Sequence, residues 1–230
     1  MVLRHVLAGA ASRRPTAALR PDSGRVISAL SNAVALRDDL TSGRGLKAHE
    51  QGVARLAALV ADAMGWRIRR VEMIGRAAAV HDVGKLAIPD AILLKPGGLS
   101  PDEWAVVRGH PVLGFNILNV PDDPLMAMAA RIAREHHESF DGSGYPYGIR
   151  GEAICPEARV VAVCDVYDAL RSDRPYKRGL SHEEVMRVIT MGDERTSPAR
   201  FDPAVLAAAL GASSRMEELW EAWRASAPPA

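Results

Sequence analysis

Apolar residues recur at helical spacing along almost the whole chain, and nowhere do strand-like runs alternate with helices as a βαβ sheet requires. Val26 to Leu36 is one such segment. Leu46 to Met64 is another, through Val53, Leu56, Ala57, Leu59, Val60 and Met64, with Gly65 as its stop. Ile68 to His81 follows. Ser100-Pro101-Asp102-Glu103 is a capping box with proline at the first helical position; it opens a helix towards His110, where Pro111 turns the backbone out of α geometry. Further helices are predicted from Pro124 to His137 and from Pro156 to about Leu170. Val160-Val161-Ala162-Val163 alone would suit a strand, but its long Ala-rich context favours a buried helix. Ser181-His182-Glu183-Glu184 is a second capping box, Asp202-Pro203 starts another helix, and Met216 to Trp223 closes the pattern. The expectation is an all-α domain; Rossmann-type and P-loop folds are excluded.

Composition narrows the function classes. A chain of 230 residues, 48% hydrophobic and 25% charged, is long enough for a sizeable core and is not built like a disordered chain. A formal charge of +1 provides no broad field for nucleic acid or an anionic membrane. No stretch approaches the ~20 apolar residues of a membrane span. Two cysteines, Cys155 and Cys164, form neither a CxxC pair nor a disulfide framework, which predicts a reducing, cytoplasmic setting. Residues 1–25 carry five arginines against Asp22 and read as a flexible basic tail rather than a targeting segment. Residues 26–212 form the expected domain, and 213–230 a short C-terminal helix and tail.

The histidines carry the chemistry. Taken singly, a histidine is more often a surface or core residue than a ligand, and His5 and His182 take those ordinary roles, in the tail and in a cap. The other five do not stand singly. His81-Asp82 ends an apolar helix and runs into Val83-Gly84-Lys85; His136-His137 end another; His110 sits at a proline-disrupted position; His49 opens an amphipathic helix. Asp165 lies inside an apolar run, where a carboxylate seldom goes unpaired. Mixed imidazole and carboxylate ligands suit Fe, Mn, Zn or Ni better than Ca or Mg. Seven ligands exceed what one ion takes, so a shared two-metal centre is the economical reading.

At this point the chain resembles a known family. His81-Asp82-Val83-Gly84-Lys85 is similar to an HDxGK signature, and His136-His137-Glu138 with Asp141-Gly142-Ser143-Gly144-Tyr145-Pro146 to HHE…DGxGYP. Both belong to the HD-GYP subgroup of the HD metal-dependent phosphohydrolases. The resemblance continues through Arg108-Gly109-His110-Pro111, Asp165-Val166-Tyr167-Asp168 and Ser172-Asp173-Arg174-Pro175-Tyr176, and covers about Arg37 to Leu210.

It implies an HD-type helical bundle with a binuclear centre, bacterial cyclic di-GMP as substrate and linear pGpG, in many members GMP, as product. His49, His81, Asp82 and Asp165 would hold one ion; Asp82 would bridge to a second held by His110, His136 and His137. Fe or Mn is the implied metal, with a bridging hydroxide as nucleophile. Lys85 would lie near the scissile phosphate, Asp168 would handle a proton or support a ligand, and Arg174 and Lys177 would contact phosphates. Gly144, Tyr145 and Pro146 would form the substrate loop, also proposed in relatives to touch diguanylate cyclase domains. Two departures matter. Three-metal members have a glutamate where this chain has Gly45, and Glu50, about 100° round a helix from His49, is a poor substitute; two ions are therefore expected. A common His-x-x-Arg reads His49-Glu50-Gln51-Gly52 here. The alternatives are hydrolysis of another cyclic dinucleotide or nucleotide, an inactive module that binds cyclic di-GMP or a cyclase, and a redox di-iron site. Oligomeric state is not encoded in any motif.

Overall fold

The computed structural model describes residues 22–42, 47–120, 122–173 and 178–226, and every regular element among them is helical. Among the described residues eleven α-helices follow one another: α1 Ser23–Ser42, α2 Lys47–Ala63, α3 Ile68–Ala77, α4 Asp90–Leu93, α5 Pro101–Val107, α6 His110–Leu118, α7 Pro124–Glu135, α8 Pro156–Arg171, α9 His182–Met191, α10 Pro203–Gly211 and α11 Ser213–Ser226. Short 3-10 turns at Ala78–Val80 and Val83–Ala87 extend α3 into the loop that follows it.

Local chemistry sets most of these boundaries. Both predicted capping boxes form: the Ser100 and Ser181 hydroxyls accept from the Glu103 and Glu184 amides, and each glutamate returns the bond to the cap's own N–H. α1 begins at Ser23, ahead of the Val26 boundary, because Asp22 caps it and accepts from Gly24 N at 3.0 Å. α2 closes at Gly65, where the Trp66 N–H returns to Ala61 O at 3.1 Å. One boundary differs in kind from the sequence reading. α5 stops at Val107, and His110 opens a new helix instead of ending the old one, because Pro111 is tolerated in a first turn whose N–H groups have no partner anyway.

The core sits around α2 and α8. α2 packs on α1, α3, α8, α10 and α11, and buries Val53, Leu56, Ala57 and Val60 completely or nearly so. α8 buries Val160, Val161, Val163 and Cys164, so the Val-rich run is indeed a buried helix. Each such Val or Leu contributes roughly 1.5–3 kcal/mol by leaving water. α7 lies across α3, α6 and α8 and adds Ala129, Ile132 and Ala133. The C-terminal segment that the sequence set apart is part of this packing: α11 lies on α2, with Met216 fully buried and Trp220 8% exposed. No helix among the described residues is long and apolar enough to cross a membrane.

Candidate metal centre

Four helix termini and one mid-helix position deliver the site. His81 and Asp82 follow the 3-10 extension of α3, His110 opens α6, His136 caps the C-terminus of α7 with His137 next in line, His49 lies in the first turn of α2, and Asp165 sits within α8. Glycine makes the closest of these approaches possible. A Cβ on Gly84 would lie 1.9 Å from the His110 carbonyl oxygen and 2.6 Å from Gly114 N, so only glycine lets the Asp82 loop press against α6.

Two groups result, joined at Asp82. One ligand atom from each of Asp82, His110, His136 and His137 lies within 4.8 Å of all the others, and the same holds for His49, His81 and Asp82. The Asp82 oxygens divide between them. Oδ1 is 3.1 Å from His110 Nε2 and 3.5 Å from His136 Nε2, while Oδ2 is 3.5 Å from His81 Nε2 and pairs with Lys85 Nζ. Asp165 joins the second group, its Oδ1 3.3 Å from His49 Nε2 and 3.9 Å from His81 Nε2.

The outer ring nitrogens fix which way the imidazoles point. Nδ1 of His81 donates to Ala78 O at 2.9 Å, Nδ1 of His110 to Val107 O at 2.8 Å, and Nδ1 of His136 to Ala133 O at 3.0 Å. A carbonyl can only accept, so Nδ1 carries a proton and, in the neutral ring, the Nε2 lone pair faces the cluster. His110 Nε2 and His136 Nε2 thus approach to 3.5 Å beside a carboxylate oxygen. Asp82 Oδ1 and His81 Nε2 are buried with no hydrogen-bond partner despite these short distances. Lone pairs converging in a buried space repel one another unless a cation sits among them, so the donor set fits a divalent metal.

Electrostatics agree. Burial disfavours the His81 cation, yet the Glu50 and Asp82 carboxylates raise its pKa to about 9. His49 is likewise held well above the usual range, against its burial, by Asp165 and Asp168. Burial opposes ionisation of Asp82 and Asp165, but Lys85 and His81 for the first and His49 for the second hold both below the usual carboxylate range. Burial and neighbouring histidines lower His136 and His137, which stay neutral and ready to donate lone pairs. One half of the cluster therefore attracts positive charge and the other supplies neutral nitrogen ligands.

The other expected residues surround this pair. The Lys85 ammonium, 28% exposed, reaches from Asp82 towards solvent. Tyr145 stacks on His137 with ring centres 4.7 Å apart, and the Arg108 guanidinium lies 5.2 Å above the tyrosine ring. Gly144 allows that stacking, since a Cβ there would meet Ser139 N at 2.3 Å and His137 O at 2.5 Å. Asp168 stands behind His49, 2.6 Å from its Nδ1, and so supports that ring from outside the cluster. Arg174, Lys177 and Gly45 lie outside the described residues. His182 is buried between Tyr167 OH and Ser213 Oγ, at 2.8 and 2.7 Å, and does more than cap a helix.

Two carboxylates at the site were named in the sequence reading but given no role there. Glu50 is fully buried with Oε2 3.1 Å from His81 Nδ1, outside hydrogen-bonding alignment. Its signal was its place on the apolar stripe of Val53, Ala57 and Val60. Glu138 accepts from the Tyr147 N–H at 2.8 Å and anchors the end of the tyrosine loop.

The described residues form an all-helical bundle with a buried His/Asp cluster split by one shared aspartate, a donor set suited to divalent metal ions. The chain belongs to the HD domain family, whose pattern matches residues 28–205. It is 40% identical over 193 residues to the cyclic di-GMP phosphodiesterase response regulator RpfG of Xanthomonas campestris pv. campestris, covering 84% of this chain and 49% of that protein. It is 41% identical over 167 residues to the 3'3'-cGAMP-specific phosphodiesterase 2 of Vibrio cholerae serotype O1, covering 73% of this chain and 31% of that protein. The chain thus spans half or less of the length of these relatives. An HDG"Y"P protein from Bdellovibrio bacteriovorus shares the fold at a TM-score of 0.57 and 16% identity, over 88% of this chain and 66% of that one.

Proposed function

We propose that the chain is a metal-dependent phosphodiesterase that opens cyclic di-GMP to linear pGpG. The observation that carries this is the pair of ligand groups sharing Asp82, with Lys85 beside it and the Tyr145 loop alongside. His49, His81, Asp82 and Asp165 would hold one divalent ion and Asp82, His110, His136 and His137 the second, with Fe or Mn suited to the donor set. When bound, two such ions polarise a phosphodiester and lower the pKa of water at the site.

The protein's own groups do the rest. Lys85 offers its ammonium to a non-bridging phosphate oxygen on the open side of Asp82, and Arg174 and Lys177 extend that charge as the family resemblance implies. Tyr145 presents its ring and hydroxyl at the rim, where a guanine can stack and a phosphate can accept a bond. Asp168 keeps His49 oriented from behind. The same proposal includes a cytoplasmic setting, supported by the two free thiols of Cys155 and Cys164, and contact of the tyrosine loop with a cyclase domain, supported by the 59% exposure of Tyr147.

The similarity to a 3'3'-cGAMP-specific enzyme favours a second reading, in which a different cyclic dinucleotide is the preferred substrate. Anaerobic purification with Fe(II) or Mn(II), metal analysis and product chromatography with both dinucleotides decide between them. Faster release of pGpG from cyclic di-GMP is expected. Metal-replete protein that leaves both substrates untouched would sink the enzymatic reading.

A further inference from the structure

α11 is bound to the α8–α9 pair by three polar links. Tyr167, His182 and Ser213 form the first, and Arg171 pairs with Glu221 in the second. The third is the indole of Trp220, whose Nε1–H donates to Asp168 Oδ1 at 3.0 Å. Asp168 is 2% exposed, and its other oxygen receives His49 Nδ1 at 2.6 Å. A single carboxylate therefore joins an indole from the last described helix to an imidazole at the cluster.

The chemistry of this link is specific. An indole can donate but never accept, and it brings no charge, so it orients Asp168 without competing with His49 for the carboxylate's negative charge. Removing the donor would leave Oδ1 buried and unsatisfied. The facing side of the carboxylate is Gly52, where a Cβ would lie 2.9 Å from Asp168 Oδ1 and 3.5 Å from Trp223 Nε1. The bare backbone of α2 leaves the room in which the carboxylate and the α11 indoles meet. The Arg171 guanidinium, 4.2 Å over the Trp220 ring, holds the indole in place.

We propose that Trp220, delivered by α11 into the space Gly52 leaves open, is a positioning residue that orients Asp168 and through it His49. This rests on the metal-binding reading above and deepens it, because support for a ligand imidazole from behind tunes affinity by about 10–100-fold. α11 is thereby a working part of the site.

Trp220→Phe keeps the ring and removes the donor. Mn(II) titration of the folded variant should show one of two binding steps weakened about tenfold or more, with the other unchanged. In metal-free protein the short bond from His49 Nδ1 to Asp168 should give the wild type a low-field, exchange-protected proton, and Trp220→Phe should lose it from the NMR spectrum. Gly52→Ala provides a second approach that does not depend on the tryptophan. It favours the α2 helix by propensity yet intrudes on Asp168 at 2.9 Å, so metal affinity should fall in a variant whose far-UV circular dichroism still shows the folded helical protein. Ser213→Ala/Glu221→Ala loosens the other two anchors and should lower the melting temperature while both ions still bind. Wild-type metal affinities and a retained His49 proton in Trp220→Phe overturn the proposal. If wild-type protein takes up no metal, the phosphodiesterase reading fails, and the His49 proton in wild type against Trp220→Phe still decides the positioning role.

Discussion

Asp82 is the residue on which the two halves of the cluster depend, because each of its oxygens faces a different set of imidazoles. Asp82→Asn keeps the shape and removes the shared negative charge. Both ions should be lost on dialysis and turnover should fall below detection; metal analysis of the purified variant checks this, and two retained ions would remove Asp82 from the bridging position. Gly84 is equally constrained, since its α-carbon faces the main chain of α6. Gly84→Ala should destabilise the fold by about 1–3 kcal/mol, read by chemical denaturation, and open the distance between Asp82 and His110. At this scale the sequence was legible where chemistry was concentrated in adjacent letters, as in His81-Asp82 and His136-His137. Glu50 was not. The rotation of about 100° from His49 correctly excludes it from that histidine's direction, but the same rotation aims it at His81, which comes from a different helix and cannot be placed by counting along α2.

Helix ends were legible because caps act within four residues. Ser100, Ser181 and Asp202 each accept from an amide two or three positions on, a contact that exists before any tertiary structure does. Ser181→Ala should therefore cost about 1 kcal/mol and a few degrees of melting temperature, measured by calorimetry, with metal content unchanged because α9 supplies no ligand. The docking of α11 was not legible, since its amphipathic pattern is short and its polar contacts with His182, Asp168 and Arg171 reach across tens of residues. The same limit applied at His110, where Pro111 fits either the exit of one helix or the entry of the next and only the packing against Gly84 chooses.

Across the whole molecule, separate stretches of chain converge on one charge balance. His81 in the metal-free protein keeps its proton up to a pH of about 9, and His49 is raised as well. An ion that takes their Nε2 atoms must displace those protons. Affinity for this half should rise with pH, by about tenfold per unit below a pH of about 9 for the His81 proton alone, and fall as the medium is acidified. The half built on His136 and His137, whose pKa values are lowered, should respond much less at neutral pH. Calorimetric titrations with Mn(II) at two pH values, in buffers of different ionisation enthalpy, measure the protons released; equal pH dependence of both steps would contradict the division.

The main-chain carbonyls that hold the outer nitrogens of His81, His110 and His136 belong to the turn just before each ring, at Ala78, Val107 and Ala133. These rings are aimed by the same turns that end one helix or begin another, so the receptor for the metal is finished when the helices are. A receptor completed in advance pays little ordering entropy on loading, and its nitrogen and oxygen donors accept several first-row ions in the order of their intrinsic affinity. Which divalent ion occupies it in a cell then follows from supply, so metal availability itself would set how much of the protein is loaded.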